Sequence, residues 1–294
     1  MQDTSARWLL VAAALLFSTG GAAIKWTDLG GWQVAGGRSA IAVLALLLFL
    51  REARAWPSPA QWLVGAAQAG ALVLFALANK LTTSANSIFL QSTAPIWIVL
   101  AAPVVLGERA RGRDLAFLLV MASGLVVVFL GDEPAQATAP DPSKGNLLAI
   151  LSGVAWAGAV VGFRKLATSG AARGDSARNP AIGALVAGNT LAAALGLAMA
   201  DAPASASIAD LAVVLYLGVF QIGLAYLCVV RGLARVGALE ASLLLLLEPV
   251  LNPVFAFIAH GERLSNATWI GGGVLLLAMV GKAVVDAHRT VRSD

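Results

Sequence analysis

Ala94-Pro95, with Gly107-Glu108-Arg109 behind it, returns 154 positions later as Glu248-Pro249 with Gly261-Glu262-Arg263 behind it. The segment in front repeats as well. Gly65, Gln68 and Gly70 fall on Gly218, Gln221 and Gly223 at an offset of 153, so the match covers two consecutive segments with a one-residue slip. Self-similarity at this spacing marks a duplicated bundle, and the fold turns on how the two copies are set in their solvent.

That solvent is lipid. With 59% hydrophobic and 12% charged residues and a mean hydropathy of +0.82, the chain is far more apolar than a soluble domain and carries about half its usual share of charge. Apolar stretches near the length that crosses ~30 Å of hydrocarbon run from Trp8 to Trp26, Trp32 to Leu50, Ala60 to Asn79, Ser84 to Leu106, Asp114 to Leu130, Asn146 to Ala167, Ala181 to Ala200, Ala209 to Val230, Gly237 to His260 and Ala267 to Val285. The first lacks a short apolar core with a small-residue exit and is followed at once by another span, so it reads as a retained helix. Cys228, the single cysteine, excludes an intrachain disulfide and reads as a small buried packing residue.

A net charge of +4 would suggest nucleic acid in a soluble protein, but here the cations are sorted by loop. Arg7, Arg51, Arg54, Arg109, Arg111, Arg113, Arg164, Lys165, Arg173, Arg178, Arg231, Arg235, Lys282, Arg289 and Arg292 fall on one side of the trace, and Lys80, Lys144 and Arg263 on the other. Excess Lys and Arg marks the cytoplasmic side, which places both termini in the cytoplasm. The basic balance reports orientation, not a polyanionic partner.

The Pro-, Ala- and acid-rich stretch 132–145 reads as a linker between a first repeat, 1–131, and a second, 146–286, with 287–294 as a cytoplasmic tail. Five spans per half is an odd number, so the second half enters the membrane upside down. The leading helices align at an offset of 139, Phe17 with Trp156 and Lys25 with Arg164, and Arg38 meets Asn189 after a gap. The gap implies a longer loop in the second half, Thr168 to Asn179, rich in Gly and Ser and read as mobile.

Polar groups within lipid must face protein or water, so polar helix faces point inward. At 100° per residue, Ser84, Ser87, Gln91 and Pro95 share an arc of about 80°. Gln68, Phe75 and Asn79 form one face of the third span, Ser152, Trp156 and Phe163 one of the sixth, and Ser242, Glu248 and Asn252 one of the ninth. Such faces either wall a central cavity or bond helix to helix. Most tryptophans lie at span ends and anchor at the interface; Trp156 is deep and on the polar face, which makes it the preferred aromatic surface for a ligand. Trp97 points away from that face, toward lipid or a neighbour. Glu248 near mid-membrane must be protonated, paired or wet. It admits a coupling role, a counter-charge to an ammonium group, or a structural bond to backbone freed by Pro249 and Pro253. Arg38, about two turns into its span, is equally open. Pro95, Pro103, Pro249 and Pro253 predict bends in the fourth and ninth spans, with Pro95 and Pro249 as hinges. No Walker loop, H-E-x-x-H or histidine pairing occurs, and no cofactor, metal or catalytic residue is assigned.

Leu81-Thr82-Thr83-Ser84-Ala85-Asn86 leading to Gln91-Ser92-Thr93-Ala94-Pro95, with Gly107-Glu108-Arg109 and Leu247-Glu248-Pro249 leading to Gly261-Glu262-Arg263, resembles the EamA-type ten-helix permeases of the drug/metabolite transporter superfamily. The resemblance spans both halves. It implies an all-α polytopic fold of two inverted five-helix repeats around a central cavity, a bacterial inner-membrane location, and export of amino acids, aromatic ones included, by alternating access. The alternatives are another metabolite or drug as cargo, or a membrane enzyme or receptor. On this reading Trp156, Phe75 and Tyr226 supply apolar contact; Gln91, Asn79, Ser87 and Gln221 bond polar ends; Glu248 and Arg38 supply charge. Lipids and a small-molecule substrate are the expected partners, with no nucleic acid and no obligatory protein partner, so a monomer suffices.

Overall fold

A computed structural model describes residues 2–107, 112–131, 135–172, 179–201, 206–245 and 247–290. They are helical, and the one β pairing among them is an isolated bridge between Gln136 and Ala139. The apolar helices are α1 (Thr4–Trp26), α2 (Gly31–Phe49), α3 (Pro59–Leu81), α4 (Ser84–Val105), the shorter α5 (Ala116–Leu130), α6 (Pro142–Ser169), α7 (Pro180–Ala198), α8 (Ile208–Leu233), α9 (Glu240–His260) and the shorter α10 (Asn266–Ala278). Eight have the length and hydropathy of a full span. The other two are the apolar parts of longer helices, Gly112–Leu130 and Asn266–Thr290.

Packing follows the duplication. Helix α3 lies on α6 as α8 lies on α1; α4 lies on α6 as α9 lies on α1; α3 lies on α7 as α8 lies on α2; and α2–α7 and α5–α10 pair with their own counterparts. Exchanging each helix with the one five places on maps this contact set onto itself, as a pseudo-two-fold axis requires. An odd number of crossings per half inverts the copies. The α5–α10 pair approaches backbone to backbone: a Cβ on Gly124 would lie 2.9 Å from the Gly271 carbonyl oxygen, and one on Gly271 2.6 Å from that of Gly124. Gly271 therefore packs within the chain, Gly272 lies under the Phe89 ring, and Gly273 meets nothing within 4 Å. Gly271→Val should force these helices apart at a cost of ~1–3 kcal/mol, read as a drop of several degrees in the melting temperature of detergent-purified protein, with Gly273→Val near the parent value.

The repeated Gly ends a helix in both copies. Among the described residues Gly107 and Gly261 have positive φ, at +71° and +65°, and at the second the Gly261 N–H returns to the Phe257 carbonyl at 2.8 Å. A left-handed residue after the last turn satisfies orphan carbonyls at low strain only when it is Gly, which explains why this residue type recurs. Glu108, Arg109, Arg111, Arg173, Arg178 and Arg292 lie outside the described residues, as does 173–178 of the loop read as mobile.

Several spans are broken, and the breaks lie close to the expected hinges. In α4, helix stops at Gln91 and resumes at Ala94, so Pro95 sits in the first turn of the new segment, where its missing N–H is tolerated. In α9, helix stops at Leu244 and resumes at Leu247, again just before the repeated proline, Pro249. Pro103 and Pro253 lie inside continuous helix. Helix α1 breaks at Thr19, where the Ser18 and Thr19 hydroxyls donate to the Leu15 and Leu16 carbonyls, a local competition that bends helices. Helix α8 widens to a π-helix over Leu217–Leu224, a feature no periodicity reading anticipated.

The linker residues described are tied down: the Asp141 N–H donates to Leu81 O at 3.0 Å, and Lys25 Nζ donates to Thr138 O. Lys25, missing from the sorting of cations by loop, sits at the same end of the bundle as Lys80, Lys144 and Arg263. Trp97 packs against the main apolar core, and Cys228 is buried.

Candidate functional site

Seven spans converge on one small cavity at the centre of the bundle. Phe17 comes from α1, Arg38 from α2, Phe75 from α3, Gln91 from α4, Trp156 from α6, Gln221 and Tyr226 from α8, and Glu248 from α9. Its volume is about 30 Å³, room for about one water molecule. A second space of about 20 Å³, walled by Ser92, Pro95, Ser242 and Leu245, shares Gln91, Trp156 and Glu248 with the first. These three side chains stand between the two chambers.

Helix breaks deliver these groups. The break in α4 follows Gln91 and the break in α9 precedes Glu248, so each side chain stands at the end of a helical segment. The π segment of α8 carries Gln221, and widened turns of this kind recur at functional sites. Helix α6 approaches the α4 break closely: a Cβ on Gly153 would lie 2.8 Å from the Gln91 carbonyl oxygen.

The lining has an arginine, a carboxyl group and an aromatic wall. Arg38 is 1% exposed; its Nη2 donates to Leu72 O at 2.7 Å and its Nη1 to Gln221 Oε1 at 3.3 Å, while Nε has no partner. Glu248 faces the same cavity, and its carboxylate accepts no hydrogen bond among the described residues. The described ion pairs are Arg7–Glu240 and Lys25–Glu262, so Arg38 and Glu248 share a chamber without pairing. Phe17, Tyr226 and Trp156 meet edge to face, with centroids 5.0 Å (Phe17–Tyr226), 5.5 Å (Trp156–Tyr226) and 6.4 Å (Phe17–Trp156) apart, the favoured geometry for aromatic pairs.

Of the residues expected at a site, Trp156, Gln91, Phe75, Gln221, Tyr226, Glu248 and Arg38 are brought together. Ser87 and Asn79 are not among the lining residues: the Ser87 hydroxyl donates to Ser84 O at 3.0 Å and Asn79 Nδ2 to Phe75 O at 3.3 Å. Pro95 walls the second chamber, and Pro249 is buried in the first turn after the α9 break. Phe17 joins the wall as well, and its signal in the sequence is the repeat, which pairs it with Trp156. Among the described residues no group of three His, Cys, Asp or Glu converges as a metal site would.

The ends of the bundle are built differently. At one, Lys25 and Glu262 form an ion pair at 2.8 Å with side chains only 3% and 1% exposed. Lys25 Nζ also donates to Thr82 O at 2.8 Å, and Glu262 Oε2 accepts the Ser84 N–H at 2.9 Å at the start of α4. His260 Nε2 lies 2.8 Å from Ala22 O in the same region, and Lys80 Nζ donates to Thr27 O at 2.6 Å. At the other end, Arg7 and Glu240 pair at the same 2.8 Å with about half of each side chain in solvent.

The family model of EamA-like transporters matches residues 4–130 and 143–281. A protein of Streptantibioticus cattleyicolor described as a probable terminal-alkyne amino-acid exporter is 28% identical over 291 residues, 94% of either chain. A protein of known crystal structure, 21% identical, superposes with a TM-score of 0.67 over 96% of this chain and 97% of its own, a likeness of fold.

Proposed function

The chain belongs to the EamA-like transporter family, and from that premise we propose that this multi-pass membrane protein exports α-amino acids, aromatic ones included, through the central cavity. One observation carries the reading: Arg38 and Glu248 line the same chamber without pairing to each other, beside a three-ring wall. A zwitterion bridges them, its carboxylate on Arg38 and its ammonium on Glu248, the substrate's own charge favouring the carboxylate form there, with a side chain against Phe17, Trp156 and Tyr226. The name of the Streptantibioticus relative agrees with that class of cargo.

A chamber of about 30 Å³ holds no amino acid, so loading requires the halves to move apart. The breaks before Pro95 and Pro249 are the hinges, and the Lys25–Glu262 end is shut. Positive-inside sorting makes that end periplasmic in a bacterial inner membrane, with both termini cytoplasmic. The protein works as a monomer among lipids, without cofactor or catalytic step.

The test is exchange in liposomes containing only this protein, preloaded with unlabelled phenylalanine and supplied with labelled phenylalanine outside. Phenylalanine should exchange, whereas phenethylamine and N-acetylphenylalanine, each lacking one charge, should compete at least tenfold more weakly. Equal competition by a one-ended analogue would refute two-pole recognition. Trp156→Ala should raise the half-saturating phenylalanine concentration about tenfold, in line with a lost ring contact of ~1–1.5 kcal/mol, and leave alanine exchange nearly unchanged.

A further inference from the structure

We infer that Ser152 is a positioning residue that fixes the amide of Gln91 with its oxygen toward the cavity, making Gln91 an ammonium acceptor beside Glu248. The inference rests on the amino-acid reading above and adds the means by which the site distinguishes an amine from a hydroxyl at the substrate's α-carbon.

Hydrogen counting fixes the orientation. Ser152 Oγ lies 2.9 Å from the Ala71 carbonyl oxygen and 2.7 Å from the amide end of Gln91. A hydroxyl has one proton. The Ala71 oxygen has none, so the contact with it consumes the Ser152 proton, and the hydroxyl must accept from Gln91. Only Nε2 can donate; the flipped amide would set two acceptors 2.7 Å apart. Gln91 Oε1 is thereby left for the cavity, in the same wall as the Glu248 carboxylate.

The opposite wall is fixed by the same logic with the reverse outcome. Arg38 has donors only, so its 3.3 Å contact binds Gln221 through Oε1 and leaves the Gln221 NH2 to the chamber. Arg38 Nε, buried and without a partner, stands beside it. Two glutamines of one side-chain type thus present opposite atoms: a donor pole of Arg38 and Gln221, and an acceptor pole of Gln91 and Glu248. An ammonium group satisfies two acceptors at once, whereas a hydroxyl offers one proton and sets its own lone pairs against the remaining acceptor. Leaving an acceptor unsatisfied is what makes such sites discriminate. Ser152 is fully buried and belongs to α6 while Gln91 belongs to α4, so orientation is imposed across the two halves.

The experiment compares phenylalanine with 3-phenyllactate, its 2-hydroxy analogue, as competitors of labelled phenylalanine exchange in liposomes. The parent protein should favour phenylalanine. Ser152→Ala frees the Gln91 amide to turn and should lower that preference about three- to tenfold, the range set by one hydrogen bond, through a higher half-saturating concentration for phenylalanine with the maximal rate largely kept. Ser152→Thr, which keeps the hydroxyl, should restore the preference. If Ser152→Ala does not yield folded protein, Gln91→Leu removes the same acceptor and should show the same loss. An unchanged preference ratio in the folded variant overturns the role of Ser152 while leaving amino-acid exchange standing. A parent protein that exchanges no amino acid overturns both.

Discussion

Replacing Arg38 by Gln abolishes amino-acid exchange while the protein remains folded and at least as heat-stable as its parent. Arg38 is 1% exposed and holds a charge in the bundle with one donor unmatched. A buried charge without full pairing lowers stability. Its hydrogen bonds to Leu72 O and Gln221 Oε1 recover part of that loss, and a neutral Gln can keep one of them. Removing the group that pairs a substrate carboxylate in a desolvated chamber costs about 2–5 kcal/mol of binding, a loss of about thirtyfold or more in affinity. Functional sites are where stability is given up for activity, and the two readouts should move in opposite directions. The repeat supplies an internal control. Asn189 holds the aligned position in the second half, is equally buried, and carries no charge, so the fold does not need an arginine at this position. A melting temperature that falls together with exchange would make Arg38 a structural residue.

The sequence disclosed the duplication, the inversion and the ends of the spans because each depends on residue types that lipid or backbone geometry constrains. Gly107 and Gly261 recur because a left-handed turn needs them, and Pro95 and Pro249 recur at restarting helices. Helical faces pointed to Phe75, Gln91, Trp156 and Glu248 of the cavity wall. Ser87 and Asn79 share those faces but donate to their own helices outside the lining; periodicity tells which way a residue points, and nothing in it says whether the local backbone takes the hydrogen bond first. The π segment of α8 was invisible because it depends on a hydrogen-bond register that side-chain spacing does not encode. The Ser152–Gln91 bond and the Lys25–Glu262 pair were illegible for another reason: each joins segments far apart in the chain, and no local pattern names such a partner.

Glu262→Ala should be among the most damaging single changes in the molecule, and Glu240→Ala among the mildest, although both remove one partner of an ion pair at 2.8 Å. The difference lies in the surroundings. Glu262 pairs with Lys25 at a site where both side chains are almost fully buried, and truncating one partner of a buried ion pair costs about 3–5 kcal/mol. The Ser84 N–H at the start of α4 loses its acceptor as well. At the Arg7–Glu240 pair, where both side chains are about half exposed, water replaces the lost partner and the pair contributes under about 1 kcal/mol. A double-mutant cycle separates these cases, because the coupling energy excludes what each residue does alone. Lys25→Met combined with Glu262→Leu should recover much of the stability lost by Glu262→Ala, since packed apolar side chains replace a buried ion pair at little cost. The corresponding cycle at Arg7 and Glu240 should close to near zero. Thermal unfolding in detergent measures both, and 1 M salt should weaken only the exposed pair. Because the buried pair ties the end of α1 to the turn after α9 in the opposite half, the apolar double variant should fold yet exchange amino acids more slowly, its closed end held by a dry contact that no arriving charge can loosen. Equal coupling energies at the two pairs, or full exchange in the apolar variant, would remove Lys25–Glu262 from the moving part of the cycle.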